Sequence, residues 1–330
     1  LGNGVDPMDV IENYGADSLR YFLATSTASG MDLRYDEEKV KSTWNFINKL
    51  WNASRFVLMN IGDFTKDDYT LENLSIADKW ILSKLNKTIF RVKNHMEKYD
   101  FNVVGTEIYN FVWDNFCDWY IELSKFNMNN TTFSVLIKVL TDILKMLHPF
   151  MPYVTEEIYL KLPIHDESIM ISNYPTVNND FDFQTDLDYI IEVIKSVRKI
   201  KQESQLGKDY YLVYDDDIIT TNISIIKDML KLENILLKKD FNLNNLASID
   251  FNVGKNIFTV YYQKTNSKEE LERLENEKIR LENSIERRKK LLNNVNYVNK
   301  APNNIVETEK LNLEKEELEL KILIEKIKNL

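Results

Sequence analysis

The spacing of apolar residues along the chain predicts a mainly helical protein. In several long segments apolar residues recur every three or four positions, which is the period of an amphipathic helix. Asp6 followed by Pro7 marks the start of a first short helix, and Gly15 separates it from a second. The helical segments predicted in this way are 6–25 (two short helices), 36–60, 76–98, 101–126, 131–147, 155–162 and 185–202. Together they predict a helical bundle.

The pattern changes after Gly207. Tyr210–Tyr214 has the composition of a strand, and a helix is expected over 224–231. The segments 247–253 and 257–262 predict a β-hairpin with Gly254 in its turn. This part of the chain is therefore expected to form a small α+β module.

The final segment, 268–330, carries two apolar stripes among many charges, with a break at 299–304. The first stripe is Leu271, Leu274, Leu281, Ile285, Leu292 and Val295, and the second is Leu313, Leu320, Ile324 and Ile327. Spacings of three, four and seven in two runs joined by a short turn predict an antiparallel coiled-coil hairpin. The expected divisions of the chain are 1–35, 36–205, 206–266 and 267–330.

Composition narrows the class of protein. Only 8 Gly and 6 Pro occur in 330 residues, which favours long helices over a turn-rich sandwich or barrel. The single cysteine, Cys117, excludes an internal disulfide framework and a zinc cluster of thiolates, and it fits a reducing, cytoplasmic setting. No apolar run is long enough to span a membrane. The net charge of -10 argues against wholesale coating of nucleic acid but leaves room for a local binding site.

One face of the helix expected over 36–60 combines an aromatic ring with amide and ammonium groups. At 3.6 residues per turn, an apolar stripe predicted to face the core is Ile47, Leu50, Trp51, Ser54, Val57 and Leu58. Asn45, Lys49, Asn52 and Phe56 lie on the other side, within about 60° of each other. Glu38 shares that side. Phe56 either stacks on an unpaired nucleobase or packs beneath a neighbouring helix or loop, and the sequence leaves both open.

Other candidate residues point away from catalysis. His95, His148 and His165 lack metal-ligand spacing, and the chain has neither a Gly-rich phosphate loop nor a nucleophile elbow. We therefore predict no catalytic residue and no metal site. The segment Trp113–Tyr120 is either a polar aromatic RNA surface or, as we favour, part of the core. In the second case Phe111, Phe116, Trp119 and Tyr120 are buried, with their polar atoms bonded to Asp114 and Asp118.

Several of these segments also carry a resemblance to a known family. Leu1–Ile11, with Tyr14–Arg20, is similar to the segment that follows the KMSKS loop of class I aminoacyl-tRNA synthetases. Three further segments narrow the resemblance to the C-terminal half of the valine–tRNA ligase family: Trp44–Phe56, Trp113–Glu122, and His148–Pro152 with Thr155–Glu157. The related isoleucine enzymes usually end in a cysteine-rich zinc module, which one cysteine cannot supply.

The resemblance implies an activity for the whole polypeptide. Members of the family activate valine with ATP and Mg²⁺ and transfer it to tRNA(Val). Since the resemblance starts after KMSKS, the HIGH and KMSKS motifs and the editing domain are expected outside this chain. The chain alone is then expected to be inactive and to hold no cofactor. Its expected partners are tRNA(Val) and the catalytic and editing domains of the same polypeptide, and we expect a monomer.

The resemblance also implies where tRNA binds. Residues 1–35 correspond to a stem-contact junction, the bundle to an anticodon-binding domain, and the coiled coil to an arm that contacts the tRNA elbow. Positions matching Lys49 and Phe56 belong to the anticodon surface, which Asn45 and Asn52 share. A relative can carry Arg at the position of Glu38, where a carboxylate repels phosphate but can accept from the exocyclic amine of a base.

In the arm, a basic cluster is similar to the tRNA-facing surface of the family: Arg287, Arg288, Lys289 and Lys290, with Lys300 near the predicted tip. The alternative for this cluster is an ordinary solvated helix face. For the whole chain, the alternative from another class is a non-catalytic interaction or scaffold protein that uses its coiled coil.

Overall fold

The computed structural model describes residues 4–28, 30–62, 70–242, 246–263, 267–293 and 303–328. The first two helices begin and end where their capping residues predict. The side chain of Asp6 accepts a hydrogen bond from the Met8 N–H at the start of α1 (Pro7–Tyr14). Gly15 has a φ of 82° and joins α1 to α2 (Ala16–Thr25). A residue with a side chain would be strained at this φ, so the glycine allows the sharp change of direction.

The described residues form two compact units. The first falls within 1–203, 215–235 and 252–257 and contains the helical bundle. Its further helices are α3 (Glu37–Asn60), α4 (Ile76–Met96), α5 (Phe101–Asn110), α6 (Ile121–Ser124), α7 (Asn130–Leu147), α8 (Pro152–Tyr159), α9 (Leu187–Glu203), α10 (Asp217–Thr221) and α11 (Ile223–Leu230). The prediction of a helical bundle is confirmed, whereas the four-segment division proposed above stays a prediction.

The core face of α3 differs from the predicted stripe. The buried side chains of this helix are Val40, Thr43, Phe46, Leu50, Ala53, Ser54 and Val57. Trp51, predicted to face the core, is 39% exposed, and the Lys161 Nζ lies 5.0 Å from its ring centroid. That part of the prediction is wrong because α3 is buried on the side of Phe46 and Ala53, which the predicted stripe omitted. The true stripe is rotated about 45° from the predicted one.

Between α5 and α6 the chain adopts a π-helix, Phe111–Tyr120, so that the helix predicted over 101–126 is continuous but not uniform. A π-helix bonds residue i to residue i+5 and is often found at functional sites. Phe111, Phe116, Trp119 and Tyr120 are buried, which confirms their prediction as core aromatics.

The polar partner predicted for Tyr120 is wrong. The Tyr120 hydroxyl donates to Asp78 Oδ1 at 2.6 Å, a carboxylate that also forms a capping box with Ser75 at the start of α4. Asp118 instead accepts from Lys49. Tyr120 thus ties the π-helix to the first turn of α4.

Helices α2 and α5 approach each other closely at Gly105. A Cβ atom on Gly105 would lie 2.6 Å from Cβ of Thr25, a distance that side chains do not tolerate. The Tyr21 hydroxyl donates to the Gly105 carbonyl oxygen at 2.8 Å. The absent side chain therefore lets one helix bond directly to the backbone of the other.

The second unit falls within 204–214, 236–251 and 258–330. Among the described residues, a four-stranded sheet has the order β2-β1-β4-β3, from β1 (Tyr210–Tyr214), β2 (Ile235–Leu237), β3 (Ala247–Val253) and β4 (Asn256–Tyr262). β1 pairs antiparallel with β4, Tyr210 opposite Tyr262. The predicted strand and hairpin are confirmed. Short β2 and α10 were not predicted, because three and five residues are too few for a periodic pattern.

The unit also contains a helical hairpin, α12 (Ser267–Leu292) and α13 (Asn303–Lys328). Leu274 and Ile285 of α12 are buried, as are Val306 and Leu323 of α13. Two packed helices of this kind agree with the predicted coiled-coil hairpin. The second predicted stripe (Leu313, Leu320, Ile324 and Ile327) is half-buried, whereas Val306 and Leu323, which it omitted, are buried. Val295 of the first stripe lies outside the described residues. In the part of the chain that the structure describes, no helix has the length and apolar character needed to cross a membrane.

Candidate nucleic-acid interface

The predicted face of α3 is accessible to different degrees along its length. Glu38, Asn45 and Asn52 are exposed, whereas Lys49 and Phe56 are half-buried. Lys49 contacts the π-helix, which packs against α3, and Phe56 lies near Lys125, which follows α6. We refer to Asn45, Lys49, Asn52 and Phe56 as the polar–aromatic face.

Lys49 is held by two groups of the π-helix. Its Nζ lies 2.6 Å from Asp118 Oδ1, and it stands 3.6 Å from the centroid of the Trp113 ring. The Lys49 side chain is 24% exposed and that of Asp118 is 48% exposed. An ammonium group over an indole face gains about 0.5–2 kcal/mol, more as it is desolvated. The lysine is therefore restrained before any ligand arrives.

The π-helix explains how two residues five positions apart both reach Lys49. In an α-helix Trp113 and Asp118 would point in directions about 140° apart. With bonds from i to i+5 the turn is wider, and both side chains come to the side that faces Lys49 of α3. Tyr109 stacks on Trp113 with ring centroids 5.4 Å apart and planes inclined by 13°. Burial, followed by the charges of Asp114 and Asp118, raises the pKa of Tyr109.

Phe56 combines features of both interpretations offered for it. It is half-buried, so it packs partly against its neighbours, and it keeps part of its ring accessible. The Lys125 Nζ lies 5.4 Å from its ring centroid, and Lys125 pairs with Glu122 at 2.6 Å. The structure thus places Lys125 beside the Phe56 ring, as it places Lys49 beside the Trp113 ring.

The sequence pattern did not identify Trp113, Asp118 and Lys125 as parts of this surface. The sequence offers an RNA surface as one alternative for this aromatic segment, but α-helical spacing does not align Trp113 with Asp118. Lys125 follows the π-helix, and its position near Phe56 depends on tertiary packing. The signal that was available is the unusual density of rings and carboxylates in Trp113–Tyr120.

Burial favours the neutral forms of two titratable groups of the bundle, Cys117 and His148. Burial raises the pKa of Cys117 to about 12, so its thiol stays protonated near neutral pH. His148 Nδ1 lies 2.7 Å from Thr155 Oγ1, and burial lowers the pKa of His148. Among the described residues, no group of three or more His, Cys, Asp or Glu side chains is arranged to hold a metal ion.

The basic cluster of the arm is divided between two surfaces. Arg288 points toward α13, where it bonds to Glu309 and, at 3.0 Å, to Glu316. Arg287, Lys289 and Lys290 are exposed. Lys289 pairs with Glu317 and Lys290 with Glu286, each at 2.6 Å. The position of Arg288 does not suit the RNA contact expected of it, because its guanidinium is occupied between the helices. Lys300 lies outside the described residues.

Two models of known protein families match two separate parts of the chain. A family model described as the anticodon-binding domain of tRNA ligase matches residues 78–212, which include the π-helix but not α3. A second, described as the valyl tRNA synthetase tRNA binding arm, matches residues 267–330.

Two relatives match along nearly all of the chain. Valine–tRNA ligase of Listeria innocua is 43% identical over 100% of this chain and 40% of its own length. That of Staphylococcus epidermidis is 46% identical over 94% of this chain and 38% of its own length. This chain thus spans about 40% of the length of these relatives. A solved LeuRS–tRNA–LeuAMS complex from Agrobacterium radiobacter K84 gives a TM-score of 0.46 at 15% identity, covering 78% of this chain and 29% of that one.

The first family model covers most of the helical bundle and the second covers the helical hairpin. The chain belongs to the valine–tRNA ligase family, of which it carries the anticodon-binding domain and the tRNA-binding arm.

Proposed function

We propose that this chain binds the anticodon of tRNA(Val) through the polar–aromatic face of α3. The observation that supports this most is the combination of exposed Asn45 and Asn52 with the half-buried Lys49 and Phe56. This face borders the π-helix, which lies within the segment similar to anticodon-binding domains.

The chemistry of the face suits unpaired bases. A base that stacks on Phe56 gains on the order of 1–3 kcal/mol, and any base has a face to stack. The amides of Asn45 and Asn52 each offer donors and an acceptor, which match the edges of bases. Glu38 is exposed at the start of α3 and is assigned here to an exocyclic amine, since its charge repels phosphate.

For the arm, we propose a contact with the tRNA elbow through Arg287, Lys289 and Lys290. All three are exposed, and the ion pairs of the two lysines are surface pairs that contribute little and can yield to a phosphate. Arg288 is omitted from this proposal because it is occupied between α12 and α13.

For the whole polypeptide, we propose attachment of valine to tRNA(Val) with ATP and Mg²⁺. The relatives are valine–tRNA ligases, which supports this proposal, and the chain spans about 40% of their length. We assign the HIGH and KMSKS motifs, both cofactors and valine activation to the remainder of the polypeptide. Accordingly, the chain alone should catalyse no valine-dependent ATP–pyrophosphate exchange, and measurable exchange above a heat-treated sample would contradict that assignment.

The anticodon proposal is tested by binding of the full 330-residue chain to tRNA(Val) and to the same tRNA with its middle anticodon base changed. We expect micromolar affinity that weakens with salt, since the net charge of -10 limits phosphate attraction to a local surface. The anticodon change and Phe56→Ala should each weaken binding, Phe56→Ala by about five- to 100-fold. Phe90→Ala is a matched control, because Phe90 is an exposed phenylalanine of α4.

Equal binding in all combinations would contradict the anticodon assignment and leave only generic affinity or affinity of the arm. Equal losses with Phe56→Ala and Phe90→Ala would show that removal of any exposed ring is harmful. Thermal melting of each variant shows whether a loss reflects unfolding.

A further inference from the structure

Lys49 lies at the edge of the polar–aromatic face, yet its charge is already neutralised. Its ammonium forms a 2.6 Å ion pair with Asp118, which a neighbouring helix supplies. Seen from beyond a few ångströms, such a pair is a dipole and not a cation. Lys49 therefore adds little to the attraction of a polyanion, although its sequence position suggests a phosphate contact.

The same arrangement leaves Lys49 able to donate. A lysine ammonium has three N–H donors, of which Asp118 accepts one, while the Trp113 ring lies 3.6 Å away on another side. The side chain remains 24% exposed. Because Asp118 and Trp113 already restrict its rotamers, a ligand need not supply the entropy of ordering this long side chain.

Lys125 is held less firmly than Lys49. Its partner Glu122 is three residues away in the same helix, and both side chains are more than two-fifths exposed. Ion pairs of that kind are weak and exchange readily with solvent. The pair of Lys49 differs because it joins two helices and because an indole ring covers one side of the ammonium.

We propose that Lys49 donates a hydrogen bond to an acceptor on the edge of an anticodon base, and that Asp118 and Trp113 are positioning residues that keep it from phosphate. The inference rests on the proposed function, since it assumes that an anticodon lies on α3. It assigns the recognition of sequence to Lys49 and a negative role in affinity to Asp118. In this role Asp118 lowers the affinity for tRNA and raises the selectivity for the anticodon, which a purely structural ion pair would not do.

The test compares Asp118→Asn with Glu122→Gln, each of which removes one negative charge beside one lysine of the surface. Affinity for tRNA(Val) and for the anticodon-changed tRNA is measured over a range of salt concentrations. Asp118→Asn should bind both tRNAs more tightly and depend more steeply on salt, because Lys49 becomes available to phosphate. Its preference for the unchanged anticodon should fall by about two- to tenfold, the value of one hydrogen bond. Glu122→Gln should tighten binding to both tRNAs and keep the preference.

Two further variants separate positioning from folding. Asp118→Glu keeps the charge and should retain part of the preference. Lys49→Met removes the donor, and should reduce the preference without changing the salt dependence. If a thermal melt shows that Asp118→Asn is unfolded, the anticodon preference and the salt dependence of Lys49→Met still test the inference.

The outcomes distinguish the inference from the proposed function. If the unmodified chain prefers the unchanged anticodon and Asp118→Asn keeps both that preference and the salt dependence, Asp118 does not position Lys49 and the inference is overturned. A steeper loss of preference in Glu122→Gln than in Asp118→Asn overturns it as well. If the unmodified chain binds both tRNAs equally, the proposed anticodon function fails, and the inference fails with it.

Discussion

At the scale of single residues, Gly105 determines how closely α2 and α5 can pack. Alanine is normally the better helix former by about 1 kcal/mol, so an unhindered Gly-to-Ala change inside a helix would stabilise the protein. Here the added Cβ would meet Cβ and Cγ2 of Thr25 at 2.6 and 2.7 Å. The clash opposes the higher helix propensity of alanine, and the energy of the clash decides whether Gly105→Ala stabilises or destabilises the protein.

We expect Gly105→Ala to lower the free energy of unfolding by about 1–3 kcal/mol, because the helices must separate and strain the bond from Tyr21 to the Gly105 carbonyl. Urea denaturation measures the change. Thr25→Gly removes both clashing atoms, so the double variant should lose less than the sum of the two single losses. A more stable Gly105→Ala protein would show that the contact yields without cost.

His148 gives the bundle a dependence on pH. Burial lowers its pKa, with smaller opposing effects from the charges of Glu156 and Asp17. The folded state thus binds a proton less readily than the unfolded chain, in which the pKa is about 6.5. The contribution of this residue to stability is present above that value and is lost as the pH falls through it.

Between about pH 7.5 and about pH 5.5, the unmodified chain should lose more unfolding free energy than His148→Gln. Denaturation at both pH values in the same buffer gives the comparison. Equal losses in the two proteins would assign the acid sensitivity to other groups.

At the scale of elements, the arm contains a polar layer between its two helices. Arg288 stands seven residues after Leu281 and four before Leu292, so it occupies the side of α12 that faces α13. Its guanidinium bonds to Glu309 and Glu316, and Ser284 also donates to Glu316 at 3.0 Å. Polar groups at such positions are known to fix the register of coiled coils.

Arg288→Ala should destabilise the hairpin by about 1–3 kcal/mol, because two carboxylates are left facing each other without a cation. Hydrogen exchange of peptides from α12 and α13 should accelerate. Arg287→Ala is the control, since this neighbouring arginine is exposed and its loss should leave exchange unchanged. Equal hydrogen exchange in the two variants would contradict the assignment of a polar layer.

Elements with capping residues and long apolar periods could be predicted from the sequence. Asp6, Pro7 and Gly15 mark the ends of α1, and the face of α3 that carries Asn45 and Asn52 follows from 3.6-residue geometry. The partners of Lys49 could not be predicted, since a π-helix has no periodic signature in a sequence and brings together residues that an α-helix would separate. The ion pairs of Arg288 could not be predicted for a related reason. A charge at a heptad position resembles a solvated face until the opposing helix is known.

At the scale of the whole molecule, the arm bears on the oligomeric state. Each chain supplies both helices of its own coiled coil, with Leu274 and Ile285 on one and Val306 and Leu323 on the other buried. These four side chains are therefore covered within one chain, whereas Leu311, Leu318 and Ile322 of α13 stay exposed. The chain should sediment as a monomer of 39.0 kDa.

Sedimentation over a range of concentrations checks this prediction and addresses the scaffold alternative. A scaffold that used its coiled coil would self-associate as concentration rises. A stable dimer at the lowest concentration measured would contradict the monomer and favour the alternative. Sedimentation of Arg288→Ala under the same conditions shows whether the polar layer also discourages exchange of helices between chains.

The pairing of Lys49 with Asp118 affects the kinetics of tRNA binding as well as the affinity. Because the carboxylate cancels the lysine's field at a distance, Lys49 does little to steer a tRNA toward the surface. Its hydrogen bond can form only after docking, so its effect belongs to the lifetime of the complex and not to the rate of encounter. Under the proposed function, a tRNA with the wrong anticodon arrives as often as the right one and simply departs sooner.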